Sequence, residues 1–174
     1  MRAKHLKGGT KMQIRRAEYA EVQALDRLLQ EAAQGLSPAI FCRDDQDFLA
    51  AHVKEQGFTL VAEEGDLAGM LVVRFPFLAA DHLGRDLNWS DDLLLQACHI
   101  ETLAVHPRYR GQGLQRALLL AAELELDALY THLLATVAPA NAASLRNFIR
   151  MGYGVVAEVE KYGGHERYIL LKQR

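Results

Sequence analysis

The chain of 174 residues is 50% hydrophobic, enough to fill one good core and too short for two comfortable domains. A formal charge of -2 offers no global basic field for nucleic acid or an anionic membrane, and Cys42 and Cys98 make neither a disulfide framework nor a zinc spacing. No apolar run reaches the ~18 residues of a membrane span, and the start MRAKHLKGGT is basic with no apolar signal region behind it. The expectation is a soluble, reduced, cytoplasmic, metal-free protein with residues 1–11 as a frayed tail.

In chain order, MQIRRAE (12–18) alternates as a short strand. Val22, Leu25, Leu28 and Leu29 then recur at helical spacing until Gly35 and Pro38 stop the helix. Asp44 or Asp45 can cap a second helix carrying Phe48, Leu49 and Val53 and ending at Gly57. FTLVAEEGDLAGMLVVRF gives two strands joined at EGD, a hairpin signal. Residues 76–92 are polar and irregular and predict a long surface loop. LQACHIETLAVH is apolar on both faces, the mark of an interior strand.

A helix from Leu114 to about Tyr130 follows, then the buried strand HLLATVA, then a helix from Asn141 to Met151 behind Pro139. YGVVAEVEKY and HERYILLK, joined through Gly163 and Gly164, form a closing hairpin. The order β-α-α-β-β-β-α-β-α-β-β has no repeat or linker and predicts one mixed α/β domain over 1–174.

The stretch VHPRYRGQGLQRALLLA holds the chemistry. A strand that turns through Gly111 and Gly113 into a helix leaves backbone N–H groups unpaired and pointing one way. Glycine lets a ligand approach closely, and the helix dipole with Arg108, Arg110 and Arg116 adds positive charge. Phosphate suits such a turn, although an ordinary glycine-rich helix start with solvated arginines looks the same. A dinucleotide fingerprint fails because Arg116 replaces its third glycine, and the Gly-Lys-Ser/Thr ending of a mononucleotide loop is absent.

IETLAVHPRYRGQGLQRALL resembles the acetyl-coenzyme A motif of the GCN5-related N-acetyltransferase (GNAT) family, and VAPANAASLRNFIRMGY resembles its downstream Asn-x-x-Ala/Ser segment. The resemblance covers nearly the whole chain. It implies a mostly antiparallel sheet of about seven strands, flanked by about four helices, with strands four and five splayed around the pantetheine arm. It also implies that the backbone of Leu103, Ala104 and Val105 binds the pantetheine amides. Arg110, Gly111, Gln112, Gly113, Leu114, Gln115 and Arg116 would wrap the pyrophosphate. Asn141, Ser144 and Phe148 would approach the cofactor from the next helix.

Departures from the family pattern are as informative as the matches. Gln115 replaces a Gly or Ala; its amide either reaches a phosphate or lies along the solvent face, and the second is favoured, so that Gln115→Gly leaves coenzyme A affinity equal or tighter. Phe148 stands where many members carry a proton-donating tyrosine, and Thr136 where a subgroup carries a glutamate base. Tyr162 and Tyr168 are the remaining proton donors. Glu101 is the candidate catalytic residue, as a base or as a ligand of the acceptor amine, with His99 the weaker candidate. Strand parity places Glu101, His99, Leu103 and Val105 on one face.

These readings predict an N-acetyltransferase moving acetyl from acetyl-coenzyme A directly to a primary amine on a small molecule or peptide. The alternative is a non-catalytic acetyl-coenzyme A-binding sensor or partner module. Neither nucleic acid nor membrane is an expected partner; a homodimer is compatible with the sequence. The family sets its acceptor with residues 34–45 and 76–92, and Asp81, Asp86, Asp91 and Asp92 in the second segment would suit a cationic amine.

Overall fold

The structure, a computed structural model, describes residues 11–174; apart from Lys11, the expected tail lies outside them. Seven strands form one sheet in the order β1-β2-β3-β4-β5-β7-β6: β1 Gln13–Arg16, β2 Gly57–Glu64, β3 Asp66–Arg74, β4 Ala97–Val105, β5 His132–Val137, β6 Gly154–Lys161 and β7 His165–Gln173. Every pairing is antiparallel except β4 with β5, as the long helical crossover between those two strands requires. Six helices accompany the sheet: α1 Val22–Ala33, α2 Gln46–Lys54, α3 Leu83–Asp86, α4 Asp91–Leu94, α5 Leu114–Glu125 and α6 Ala142–Arg150.

Burial divides the side chains between the two sheet faces. Leu114, Leu118, Leu119 and Ala122 of α5 and Phe148 of α6 pack on Leu71, Val73, Ile100 and Leu133. On the opposite face Leu25, Leu28 and Leu29 of α1 and Leu49 of α2 pack on Val61, Met70, Val72 and Ala104. The apolar run LVV of β3 is therefore buried on both sides, which explains its lack of alternation.

The β4–β5 pairing stops early. It runs from Ala97↔His132 to Ile100↔Ala135, after which β4 stays with β3 as far as Val105 while β5 stays with β7 as far as Tyr168. The facing backbone edges of the two strands are free of each other beyond that point. A β-bulge sits at the parting. Val72 opposes Thr102 and Val73 opposes Ile100, so Glu101 is the extra residue of β4.

The bulge corrects the parity argument. Ile100, Leu103 and Val105 share the α5 side, although an unbroken alternation would separate Ile100 from the other two. His99, paired with Arg74, lies on the other side, and the Glu101 carboxylate follows it there to meet His99 Nδ1 at 3.3 Å. An inserted residue inverts the alternation beyond it, so one shared face for all four was the wrong expectation.

Residues 76–92 are also more ordered than an irregular loop. The buried His82 accepts from the Gly84 N–H at 2.8 Å and donates to the Leu94 carbonyl at 3.2 Å, fastening α3 to α4. Burial first, and then its neighbour His99, push the His82 imidazole down to about 4, so it remains neutral. Asp81 pairs with Arg74 at 2.7 Å and Asp86 with Lys161 at 2.5 Å, while Asp91 and Asp92 occupy the first turn of α4. Asp81 and Asp86 are thus paired within the fold.

Candidate active site

The turn after β4 carries the first element of the site. Gly111 and Gly113 have φ of 76° and 77°, a left-handed conformation that residues with a Cβ adopt at a penalty. No atom lies within 4 Å of where either Cβ would be, so conformation rather than crowding demands glycine. Gly113 is the N-cap of α5 and no side chain caps the helix. The first helical bond runs from the Ala117 N–H to the Gly113 carbonyl at 3.1 Å, so the amides of Leu114, Gln115 and Arg116 precede any helical partner.

These residues line a cleft of about 540 Å³ that includes Leu103, Ala104 and Val105 on β4 and Asn141 and Ser144 at the start of α6. Gln112 and Phe148 do not line it. Gln112 turns outward to the Arg108 carbonyl at 3.4 Å, and Phe148 is buried edge-on against Tyr153 and walls the neighbouring cavity. Arg110 lines the cleft, but its guanidinium donates to the Ala32 carbonyl at 2.8 Å, at the C-terminal end of α1. There it satisfies an orphan carbonyl and meets the negative end of the helix dipole. Asn141 caps α6 by accepting from the Ser144 N–H at 3.2 Å, which fixes its amide at the cleft wall.

Gln115 follows neither orientation weighed from the sequence. Its Nε2 donates to Ser144 Oγ at 3.0 Å and its Oε1 accepts from Asn147 Nδ2 at 2.7 Å, so the amide ties α5 to α6 across the cleft. Gln115→Gly is accordingly expected to loosen that wall and not to tighten coenzyme A binding. Two neutral hydrogen bonds and a glycine in the first helical turn together amount to about 2–3 kcal/mol. At roughly 2–4 °C per kcal/mol, thermal unfolding should come about 4–12 °C earlier. An unchanged melting temperature would show that the bridge carries no weight.

Beyond the β4–β5 parting the cleft meets a smaller cavity of about 140 Å³. Ile40, Phe41 and Asp44 enter it from the α1–α2 connection, Glu101 and Thr102 from β4, and Thr136 and Tyr162 from β5 and the β6–β7 turn. Burial pushes the Glu101 carboxyl up, but the hydrogen bond from His99 and the nearby Arg74 charge outweigh it and hold the group below the usual value. The Leu83 N–H donates to His99 Nε2 at 3.3 Å, leaving Nδ1 to carry the proton given to Glu101. Arg74 Nη1 stands 3.9 Å from Glu101. Glu101 is thus a fixed anion.

Asp44 behaves in the opposite sense. Thr102 Oγ1 donates to it, yet burial, with Glu101 and Asp45 nearby, pushes its carboxyl up to about 6. In the sequence Asp44 is a possible helix cap within the acceptor-setting segment 34–45. Asp45 holds that position, accepting from the Phe48 N–H at 2.8 Å. Of two adjacent aspartates only one can cap, which was the signal available. Tyr162 shares a hydrogen bond with Thr136 at 3.1 Å, and burial of its hydroxyl raises it to about 12, so it keeps its proton. Tyr168 packs against the core and does not line the cavity. Among the described residues no group of three or more His, Cys, Asp or Glu side chains is placed to hold a metal, and no helix is long and apolar enough to cross a membrane.

The profile described as the acetyltransferase (GNAT) family matches residues 22–153, most of the chain. The chain belongs to the GNAT acetyltransferase family. Among solved structures it is similar to yncA of Salmonella typhimurium, solved with its cofactor acetyl-CoA, at 22% identity over 94% of both chains with a TM-score of 0.71. Ribosomal-protein-alanine N-acetyltransferase from Brucella melitensis is 22% identical over 93% of this chain and 99% of that one, with a TM-score of 0.71. The ribosomal-protein-S18-alanine N-acetyltransferase of Escherichia coli aligns at 20% identity over 92% of both chains, TM-score 0.65. These likenesses establish the GNAT fold. Comparison with curated protein sequences gives no match.

Proposed function

We propose that this protein transfers an acetyl group from acetyl-coenzyme A directly to a primary amine in a ternary complex. One observation carries the reading. The cleft that begins at the uncapped α5 terminus runs along the free edge of β4 and opens at the strand parting onto a cavity holding two carboxylates. In this reading the amides of Gly113 to Arg116 take the pyrophosphate. The free edge of Leu103 to Val105 takes the pantetheine amides as an added strand would, and a backbone N–H there polarises the thioester carbonyl. Asn141 and Ser144 position the arm from the α6 side. Glu101, held ionised by His99 and Arg74, receives the acceptor ammonium. The Tyr162 hydroxyl is placed to supply the proton that Phe148 cannot.

The test is thiol release from acetyl-coenzyme A in the presence of n-butylamine, spermidine, lysine, kanamycin and a peptide amino terminus. Release with any of them, with the acetylated product seen by mass spectrometry, supports the transferase. Tight coenzyme A binding with no release would favour the sensor alternative, for which the loss of a phenol at Phe148 is the specific argument. Glu101→Gln is expected to raise the KM of the accepted amine roughly 10–100-fold, the scale of one lost bond to a charged group, with acetyl-coenzyme A affinity unchanged. Steady-state kinetics at fixed, saturating acetyl-coenzyme A read this directly.

A further inference from the structure

We propose that Asp44, on the connection between α1 and α2, is the base that takes the proton from the acceptor ammonium, while Glu101 is the anchor that holds it. This rests on the transferase reading above. Because Asp45 caps α2, the neighbouring Asp44 is released from that duty and crosses to β4, where Thr102 Oγ1 donates to its Oδ2. Thr102 directly follows the bulge residue Glu101, so the two carboxylates reach one small cavity from different elements.

Their hydrogen-bonding differs. Glu101 Oε2 is engaged by His99 at 3.3 Å and approached by Arg74 at 3.9 Å, a setting that favours the anion and makes it a poor proton acceptor. Asp44 has one hydroxyl partner on Oδ2, and its Oδ1 accepts no hydrogen bond among the described residues. The charged and titratable groups around it are Glu101 on β4, Arg74 on β3, Asp45 and Cys42 on its own connection, Tyr162 in the β6–β7 turn and Arg167 on β7. Arg167 is occupied with backbone, donating to the Ala39 carbonyl at 2.6 Å and the Glu166 carbonyl at 2.9 Å. Two carboxylates in one site, pushed apart by their surroundings, are the usual basis for dividing the anion and base roles.

The chemistry balances without another reagent. The ammonium gives one proton to the Asp44 carboxylate. The freed nitrogen lone pair then forms the C–N bond at the thioester carbonyl carbon, and the C–S bond breaks with its electron pair going to sulfur. The second proton lost by nitrogen ends on that sulfur through Tyr162, and Asp44 returns its own proton to solvent.

The measurement is the pH dependence of kcat/KM for whichever of the five amines named above the wild-type protein acetylates fastest. The wild type should show an acidic limb centred at about 6, because the base must be ionised to act. Asp44→Asn should lose that limb and roughly 10²–10⁴-fold in kcat, with acetyl-coenzyme A affinity intact. Thr102→Val, which removes a hydrogen bond to the ionised form, should move the limb to higher pH; Glu101→Gln, which removes a like charge, should keep the limb and move it lower. Near wild-type kcat with the limb retained in Asp44→Asn overturns the inference and leaves the transferase standing. Loss of the limb in Glu101→Gln hands the base role to Glu101 and also overturns it. Should Asp44→Asn fail to fold, an unmoved limb in Thr102→Val is decisive against Asp44. No thiol release with any amine removes the transferase reading, and this inference with it.

Discussion

Gly113→Val is expected to raise the dissociation constant for coenzyme A roughly 10–100-fold in a protein that remains folded. The glycine has φ of 77°, where an L-residue is disfavoured by about 1–2 kcal/mol and a β-branched one is a genuine outlier. A Cβ there would meet no atom within 4 Å, so the strain is of the backbone conformation and not of a clash. Relief of the strain must come from rotating the turn, and the turn carries the amides that begin α5. Each lost bond to a phosphate oxygen is worth about 1.5–3 kcal/mol, and about 1.4 kcal/mol is a tenfold change in affinity. Gly113→Asn is the informative control, because asparagine tolerates the left-handed conformation and should keep most of the binding. Calorimetry on the three forms measures this. Equal affinity in the valine variant would remove the pyrophosphate from this turn.

The largest effect on stability is expected at Gly57. It opens β2 opposite Arg74 with φ of 154°, and an added Cβ would lie 1.9 Å from the Val73 carbonyl oxygen and 3.1 Å from Arg74 Cα. Both obstacles are backbone of a central strand, which cannot rotate away as a side chain would. Gly57→Ala should therefore destabilise by at least about 3 kcal/mol, the range reserved for specific steric faults. Thermal unfolding should then begin about 6–12 °C lower, at 2–4 °C per kcal/mol for a chain of this size. Displacing the end of β3 also displaces Arg74, so the KM of the amine should rise in the same variant. Gly154→Ala is the control. That glycine opens the edge strand β6 with no atom within 4 Å of its Cβ and should be neutral. Differential scanning calorimetry of both variants decides the matter, and an unaltered transition in Gly57→Ala would contradict the backbone contact.

Much of this molecule is readable from local pattern. The helical spacing of Leu25, Leu28 and Leu29, the EGD turn, the closing Gly163-Gly164 hairpin and the glycine turn into α5 each depend on neighbours a few residues apart. Local spacing and local φ requirements suffice to specify such features. The family resemblance followed from two such segments, residues 100–119 and 137–153, each contiguous in the chain, and both lie within the matched residues 22–153.

Other features depend on residues distant in sequence. The bulge at Glu101 is a mismatch between two strands, invisible in either alone, and it turned the carboxylate toward Arg74 and His99. Gln115 looked like an isolated departure because its partners Ser144 and Asn147 lie 29 and 32 positions away. The bond from the Arg110 guanidinium to the Ala32 carbonyl, 78 positions away, has no local signature either. Asp44 and Asp45 are alike as letters, and only the approach of Thr102, 58 positions on, separates the helix cap from the cavity carboxylate. Local sequence determined the order of strands and long helices, because propensity and periodicity act over one or two turns, but it carried α5 on to Tyr130 where the helix ends at Glu125 and left α3 and α4 as loop. Tertiary structure decided which charges are engaged and which face the cavity, because hydrogen bonding and burial are set by whatever the fold brings alongside.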